Sequence, residues 1–122
     1  MAAFVFNSGN PLHTNSYLQT SGRSSFEFSA QYIIPRDGTL QNYYVMLSND
    51  SGGEGQFYNV DLRINGVDTG FTSALYAPDR SHVDTTTTLN VSAGDRISIY
   101  FGRTSAAAQV TVQASISISF EV

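Results

Sequence analysis

From Val110 to Val122 every even position is apolar: Val110, Val112, Ala114, Ile116, Ile118, Phe120 and Val122. The odd positions around them, Gln109, Thr111, Gln113, Ser115, Ser117, Ser119 and Glu121, are all polar. Successive side chains of an extended chain point to opposite faces, so the run describes one strand with a wet face and a buried face. A helix would repeat its apolar residues at three and four. Such a strand needs partners along its edges and a second layer over its apolar face. The same alternation places Phe26, Phe28, Ala30, Tyr32 and Ile34 on one face of a strand ending at Pro35. It recurs at Val60, Leu62, Ile64, at Leu89, Val91, and at Ile97, Ile99, Phe101. Turn signals separate these runs: Arg36-Asp37-Gly38, Asn49 to Gly53, Asn65-Gly66, Ala77-Pro78-Asp79 and Ala93-Gly94-Asp95. Asn65-Gly66 is the strongest hairpin signal among them, because both residues tolerate positive φ. No segment carries a helical period. Roughly eight strands at this spacing predict an all-β chain, an antiparallel eight-stranded jelly-roll sandwich, with an immunoglobulin-like sandwich as the alternative.

A chain of 122 residues makes one domain. Residues 1–24 read as an N-terminal strand or arm followed by a polar, breaker-containing loop, and residues 25–122 as the sandwich. Only 13% of residues are charged, against roughly 25% in an ordinary globular chain. Sixteen Ser, eleven Thr and eight Asn take their place. Six arginines against ten carboxylates leave a net charge of −4. A nucleic-acid partner is therefore not expected, since phosphate binding needs clustered cations. There is no cysteine, hence no disulfide framework, thiolate nucleophile or Cys-based zinc site. No apolar run is long enough for a membrane helix, and the start at Met1 lacks the pattern of a secretion signal.

Candidate chemistry is sparse. The histidines are His13 and His82, each read as lying in a polar loop. Arg80-Ser81-His82-Val83-Asp84 holds Ser, His and Asp together, but neighbours on an extended chain face opposite ways, whereas a catalytic triad is assembled from distant segments. Asn49-Asp50-Ser51-Gly52-Gly53-Glu54 gathers oxygen donors suited to calcium at Asp50 and Glu54, without the full ligand register of an EF-hand. A flexible, glycine-rich turn between strands is the preferred reading of it. Asp37 and Asp95 belong to turns, where a carboxylate holds a backbone N–H. No catalytic residue, cofactor or metal is expected, and the chain reads as a non-enzyme. Thr85 to Thr88 read as an edge strand or the start of a strand.

The aromatics remain. Tyr43-Tyr44 and Phe57-Tyr58 are consecutive pairs, so one member of each faces away from the core if these are strands. Tyr43, Tyr44 and Tyr76 are candidates for a subunit interface or a sugar-stacking platform. Phe4 and Phe6, in the apolar start, are candidates either for a first strand in their own sandwich or for an arm docked on a neighbouring subunit or particle.

Three stretches form an ordered series: Ile34-Pro35-Arg36-Asp37-Gly38-Thr39-Leu40, Leu62 to Thr69 around Asn65-Gly66, and Val91-Ser92-Ala93-Gly94-Asp95-Arg96-Ile97-Ser98. The series resembles a family of small bacterial and bacteriophage jelly-roll domains related in shape to the tumour-necrosis-factor and complement heads. Similar series occur in small phage virion accessory proteins and in the C-terminal heads of collagen-like spore-surface (exosporium) proteins. The resemblance covers about Ser25 to Val122. It implies a homotrimer-forming, non-enzymatic surface domain, and it transfers no active site, because the matching residues are turns. The chain carries no Gly-X-Y stalk. A structural protein on the virion surface, decorating or cementing a phage capsid and bound to a particle-surface protein, is therefore expected. The alternatives are a spore-surface head or a carbohydrate-binding head with glycan partners.

Overall fold

The C-terminal alternation becomes a strand paired along both edges. In the computed structural model, which describes residues 2–12, 14–20 and 22–121, Val112–Phe120 lies between Ala2–Asn7 and Gly38–Leu47. Val110, Val112, Ala114, Ile116 and Ile118 are buried, and Phe120 packs partly against the same core. Val122, the last residue of the alternation, lies outside the described residues.

In chain order the strands are β1 (Ala2–Asn7), β2 (Ser16–Leu18), β3 (Arg23–Ser24), β4 (Tyr32–Ile33), β5 (Gly38–Leu47), β6 (Phe57–Ile64), β7 (Val67–Asp68), β8 (Ala74–Tyr76), β9 (Ser81–Asp84), β10 (Leu89–Val91), β11 (Arg96–Arg103) and β12 (Val112–Phe120). One helical turn, α1 (Glu27–Ala30), interrupts them. All pairings among these strands are antiparallel, and they form two sheets packed as a sandwich. Sheet I runs β1-β12-β5, with β9 and β10 sharing the far edge of β5. Sheet II runs β3-β2-β11-β6, with β4 also on β11 and with β7 and β8 along the far edge of β6.

The core is what the two inner faces supply. Sheet I contributes Phe6, Leu40, Tyr43, Val45, Leu47, Ile116 and Ile118, and sheet II contributes Leu18, Tyr58, Val60, Leu62, Ile97, Ile99 and Phe101. Tyr43 donates its hydroxyl hydrogen bond to the Val60 carbonyl at 2.9 Å, tying one layer to the other. Burial pushes the Tyr43 pKa well up, with the nearby Asp61 charge adding to it, so the phenol stays protonated and keeps donating.

Two expectations from the sequence give way, and one strand pairing is irregular. Phe26 to Ile34 is not one strand. Phe26 precedes α1 and only Tyr32 and Ile33 are extended in β4, leaving Phe26 and Phe28 at 75% and 82% exposure while Ala30 and Ile34 are buried. The physical reason is a polar anchor. Glu27 turns inward to meet Arg63 Nε at 2.6 Å and accepts the Ser98 hydroxyl at 2.8 Å. Thr85 to Thr88 form a loop rather than a strand, because Asp84 Oδ1 accepts the amides of Thr86 and Thr87, each at 3.0 Å, and curls the chain. In β5 the pairing with β12 slips between Ser115 and Ser117, where Asn42 takes φ +57°. That bulge puts Leu40 and Tyr43, three apart, on the same inner face.

The apolar start is built into the sandwich. β1 pairs with β12 along its whole length, and the Phe6 ring meets Tyr32 edge-on with centroids 5.4 Å apart. Residues 2–24 thus supply β1 to sheet I and β2 and β3 to sheet II.

The three stretches of the ordered series interlock at one end of the molecule. Asp37 Oδ1 accepts the Ala93 amide at 2.8 Å. Asp95 accepts the Ser92 amide at 2.8 Å and Asn65 Nδ2 at 3.1 Å, while Asn65 Oδ1 accepts the Arg96 amide at 2.9 Å. The Ile34 amide donates to the Asp95 carbonyl at 2.7 Å. Asn65 and Gly66 both take positive φ, +52° and +80°, as a two-residue hairpin between Ile64 and Val67 requires. These residue types therefore serve one clasp joining both sheets.

Candidate functional site

The interface candidates separate into buried and exposed sets. Phe6 and Tyr43 are core residues, and Phe4 packs partly against the core. Their apolar area is already covered within the domain. Tyr44 and Tyr76 are exposed. Each consecutive aromatic pair divides as strand geometry demands, with Tyr43 and Tyr58 inward and Tyr44 and Phe57 more exposed.

Tyr44 belongs to a row that crosses sheet I. The register sets Val5 of β1, Ser115 of β12, Tyr44 of β5 and Val83 of β9 side by side. Met46, 58% exposed, stands two residues on from Tyr44 along β5. Val5, Tyr44, Met46, Gln113, Ala114 and Ser115 line a depression of about 310 Å³. The outward positions here are Ala3, Val5, Gln113, Ser115, Ser117, Tyr44, Met46, Ser81 and Val83, with no charged group among them. Sheet faces kept in water ordinarily carry polar and charged residues. An uncharged face with four large apolar side chains is instead typical of the centre of a subunit contact.

The second exposed apolar group is carried by α1 and β4. Glu27 is held inward by Arg63 and Ser98, so Phe26 and Phe28 project outward, joined by Ile33 at 68% exposure. Arg63 and Ser98 alternate with the buried Leu62, Ile97 and Ile99, which puts α1 on the outer side of sheet II. Arg63 also pairs with Asp68 at 2.8 Å and donates to the Gly66 carbonyl. The Glu27 hydrogen bond raises the guanidinium pKa above its ordinary value, against a smaller opposing effect of burial. The two apolar groups therefore lie on opposite outer faces of the sandwich.

A third feature is a cleft of about 450 Å³ lined by Asp50, Gly52, Gly53, Glu54, Gly55, Tyr76, Ala77 and Pro78. β6 and β8 create it by pairing Phe57 with Tyr76. The two rings lie 4.8 Å apart between centroids at 35°. Neither residue run signals the other in sequence; the consecutive Phe57-Tyr58 pair was the available hint that one ring faces outward.

The other candidates disperse. His82 turns its ring toward Tyr43, with centroids 6.1 Å apart, while Ser81 faces the opposite side of β9 and the Asp84 carboxylate is engaged by Thr86 and Thr87. The stretch does not form a nucleophile–base pair. Asp50 Oδ1 accepts the Gly52 amide at 2.8 Å as a turn would. Among the described residues no three His, Cys, Asp or Glu side chains are grouped to hold a metal. His13 lies outside the described residues.

No protein-family model matches the chain and no curated protein matches it.

Proposed function

We propose that the protein is a non-enzymatic structural head of jelly-roll type, homotrimeric, that decorates or cements the exterior of a phage capsid or similar particle. One observation carries this function: two apolar groups, Val5-Tyr44-Met46-Val83 and Phe26-Phe28-Ile33, sit on opposite outer faces of one sandwich. A bridging protein needs two adhesive faces, one for its own copies and one for what it coats. A three-fold assembly closes the first of them around an axis and leaves no open patch.

The strand order supports the jelly-roll assignment. Taking β7 with β8 and β9 with β10 as interrupted single runs, and β3 and β4 as extra edge pieces, leaves eight runs. Successive runs change sheet except at β6 and β7/β8, which are neighbours in sheet II. The first and last are neighbours in sheet I and the second and next-to-last are neighbours in sheet II, as two rolled-up hairpins are. The particle setting comes from the resemblance of the turn series.

Light scattering on the eluting protein tests the assembly. The expected mass is three times 13.2 kDa. Met46→Glu, which places a charge on the uncharged face, should yield a folded monomer. A wild type that elutes as a monomer, or a Met46→Glu variant that remains trimeric, overturns the assignment of that face.

A further inference from the structure

We infer that the cleft between the Asp50–Gly55 loop and the Tyr76–Pro78 turn is a binding site for a neutral saccharide, independent of the faces assigned to assembly. Both walls are fastened. Ser51 Oγ accepts the Ala77 amide at 3.2 Å and donates to the Gln56 carbonyl at 2.7 Å, bridging loop and turn. The loop's foot is held by Asn49, which donates to the Asp50 and Gln109 carbonyls at 2.9 and 3.0 Å. The Ala108 amide holds the Ser51 carbonyl at 3.1 Å. A glycine-rich loop tied at this many points has already lost the freedom that binding would otherwise cost.

The groups facing the opening define the ligand. Tyr76 is 50% exposed and backed by Phe57. A single exposed ring supported from behind by a second suits the C–H face of a pyranose, and is not the box of crossed rings that encloses a quaternary ammonium. Asp50 Oδ2 and both Glu54 oxygens have no partner within the chain among the described residues, and neither carboxylate is in an ion pair there. Carboxylates accept strong hydrogen bonds from sugar hydroxyls, and they repel sialic and uronic acids. Gly52, Gly53 and Gly55 let a ring approach the backbone; a methyl at Gly55 would meet nothing within 4 Å.

The test is an array of immobilised oligosaccharides ending in neutral hexoses, N-acetylhexosamines, sialic acid or uronic acid, with a trimethyllysine peptide as an added spot. The wild type should be retained by one or more neutral termini and by neither acidic terminus. In titrations with the best-retained oligosaccharide, Tyr76→Ala should weaken binding by about tenfold or more, and Tyr76→Phe by less than about threefold. Glu54→Gln, at an exposed position, should also weaken it. Retention of no neutral terminus, retention unaffected by both Tyr76→Ala and Glu54→Gln, or preference for the trimethyllysine peptide overturns the proposal. Oligomeric mass measured on the same samples keeps the outcomes apart: a monomer that binds sugar refutes the assembly and leaves this site standing.

Discussion

Gly38 looks like a turn residue in Arg36-Asp37-Gly38, yet it is the first residue of β5 and its φ is not positive. Its lack of a side chain serves contact. Gly38 lies between Phe120 of β12 and Val91 of β10, enclosed by paired strands on both sides at one end of sheet I. A methyl there would sit 2.7 Å from the Ser119 carbonyl oxygen and 3.3 Å from Phe120 Cα and Ile118 Cγ1. Carbon–oxygen contacts settle near about 3.3 Å, so Gly38→Ala must drive β12 away by about 0.6 Å. The obstructing oxygen is backbone and cannot rotate aside. Overpacking of this kind costs about 1–3 kcal/mol, and the entropy relieved by replacing glycine returns about 0.5–1 kcal/mol. The net loss of about 1–2 kcal/mol corresponds to a Tm lower by about 4–8 °C for a domain of this size. Gly70→Ala is the control, since its methyl would meet only Thr87 Cγ2, at 3.7 Å, with an ordinary φ. Thermal melts and urea titrations of both variants measure the difference. If Gly38→Ala melts with the wild type, or Gly70→Ala falls equally, close strand approach is not why glycine occupies position 38.

Ile118→Ala, at a fully buried position, should cost about 2–5 kcal/mol in urea titrations, whereas Ser117→Ala on the outer face should leave the monomer's stability unchanged; equal losses would contradict the inner and outer assignment. Burial raises the Asp61 pKa above its ordinary 3.8, against a weaker opposing hydrogen bond from the Ser73 amide. A raised folded-state pKa means that ionisation works against folding. Its cost is absent below the unfolded value and fully present above the folded one. Asp61→Asn should therefore raise Tm at pH 7, with the advantage over the wild type shrinking below about pH 4; a constant difference across that range would exclude Asp61 titration as its source.

How far the fold was legible depends on where each strand's partner information resides. β12 and β6 read correctly because their apolar residues alternate with more exposed polar ones, and β11 reads correctly from Ile97, Ile99 and Phe101 although Ser98 between them is buried too. β5 does not alternate simply, since the bulge at Asn42 lets both Leu40 and Tyr43 point inward. Nothing local in Leu40 to Tyr43 announces a left-handed asparagine. Phe6 was ambiguous for a related reason: the polar stretch after it suggests a separable arm, while the ring it packs on, Tyr32, lies in the other sheet. The cleft was illegible because its halves, Asp50–Gly55 and Tyr76–Pro78, meet only through the pairing of β6 with β8.

The largest misreading, at Phe26 to Ala30, bears most directly on function. Period-2 phenylalanines normally mark the inner face of a strand, because burying each contributes roughly 1.5–3 kcal/mol. Here the carboxylate between them takes the inward position. Glu27 joins Arg63, which also pairs with Asp68, and accepts the hydroxyl of the buried Ser98, groups of β6 and β11 that face α1. An inward carboxylate joined to a cation by a short bond, with a hydroxyl completing it, can replace an apolar contact only where its polar atoms are satisfied. The cost of the exchange falls on Phe26 and Phe28, left in water at 75% and 82% exposure. A domain selected for stability alone would bury those rings, yet α1 lies on the outer side of sheet II, away from the inner face that Leu18, Ile97 and Ile99 fill. Under the proposed assembly, a surface outside the domain would cover these two phenylalanines, on the face opposite the one proposed for the trimer.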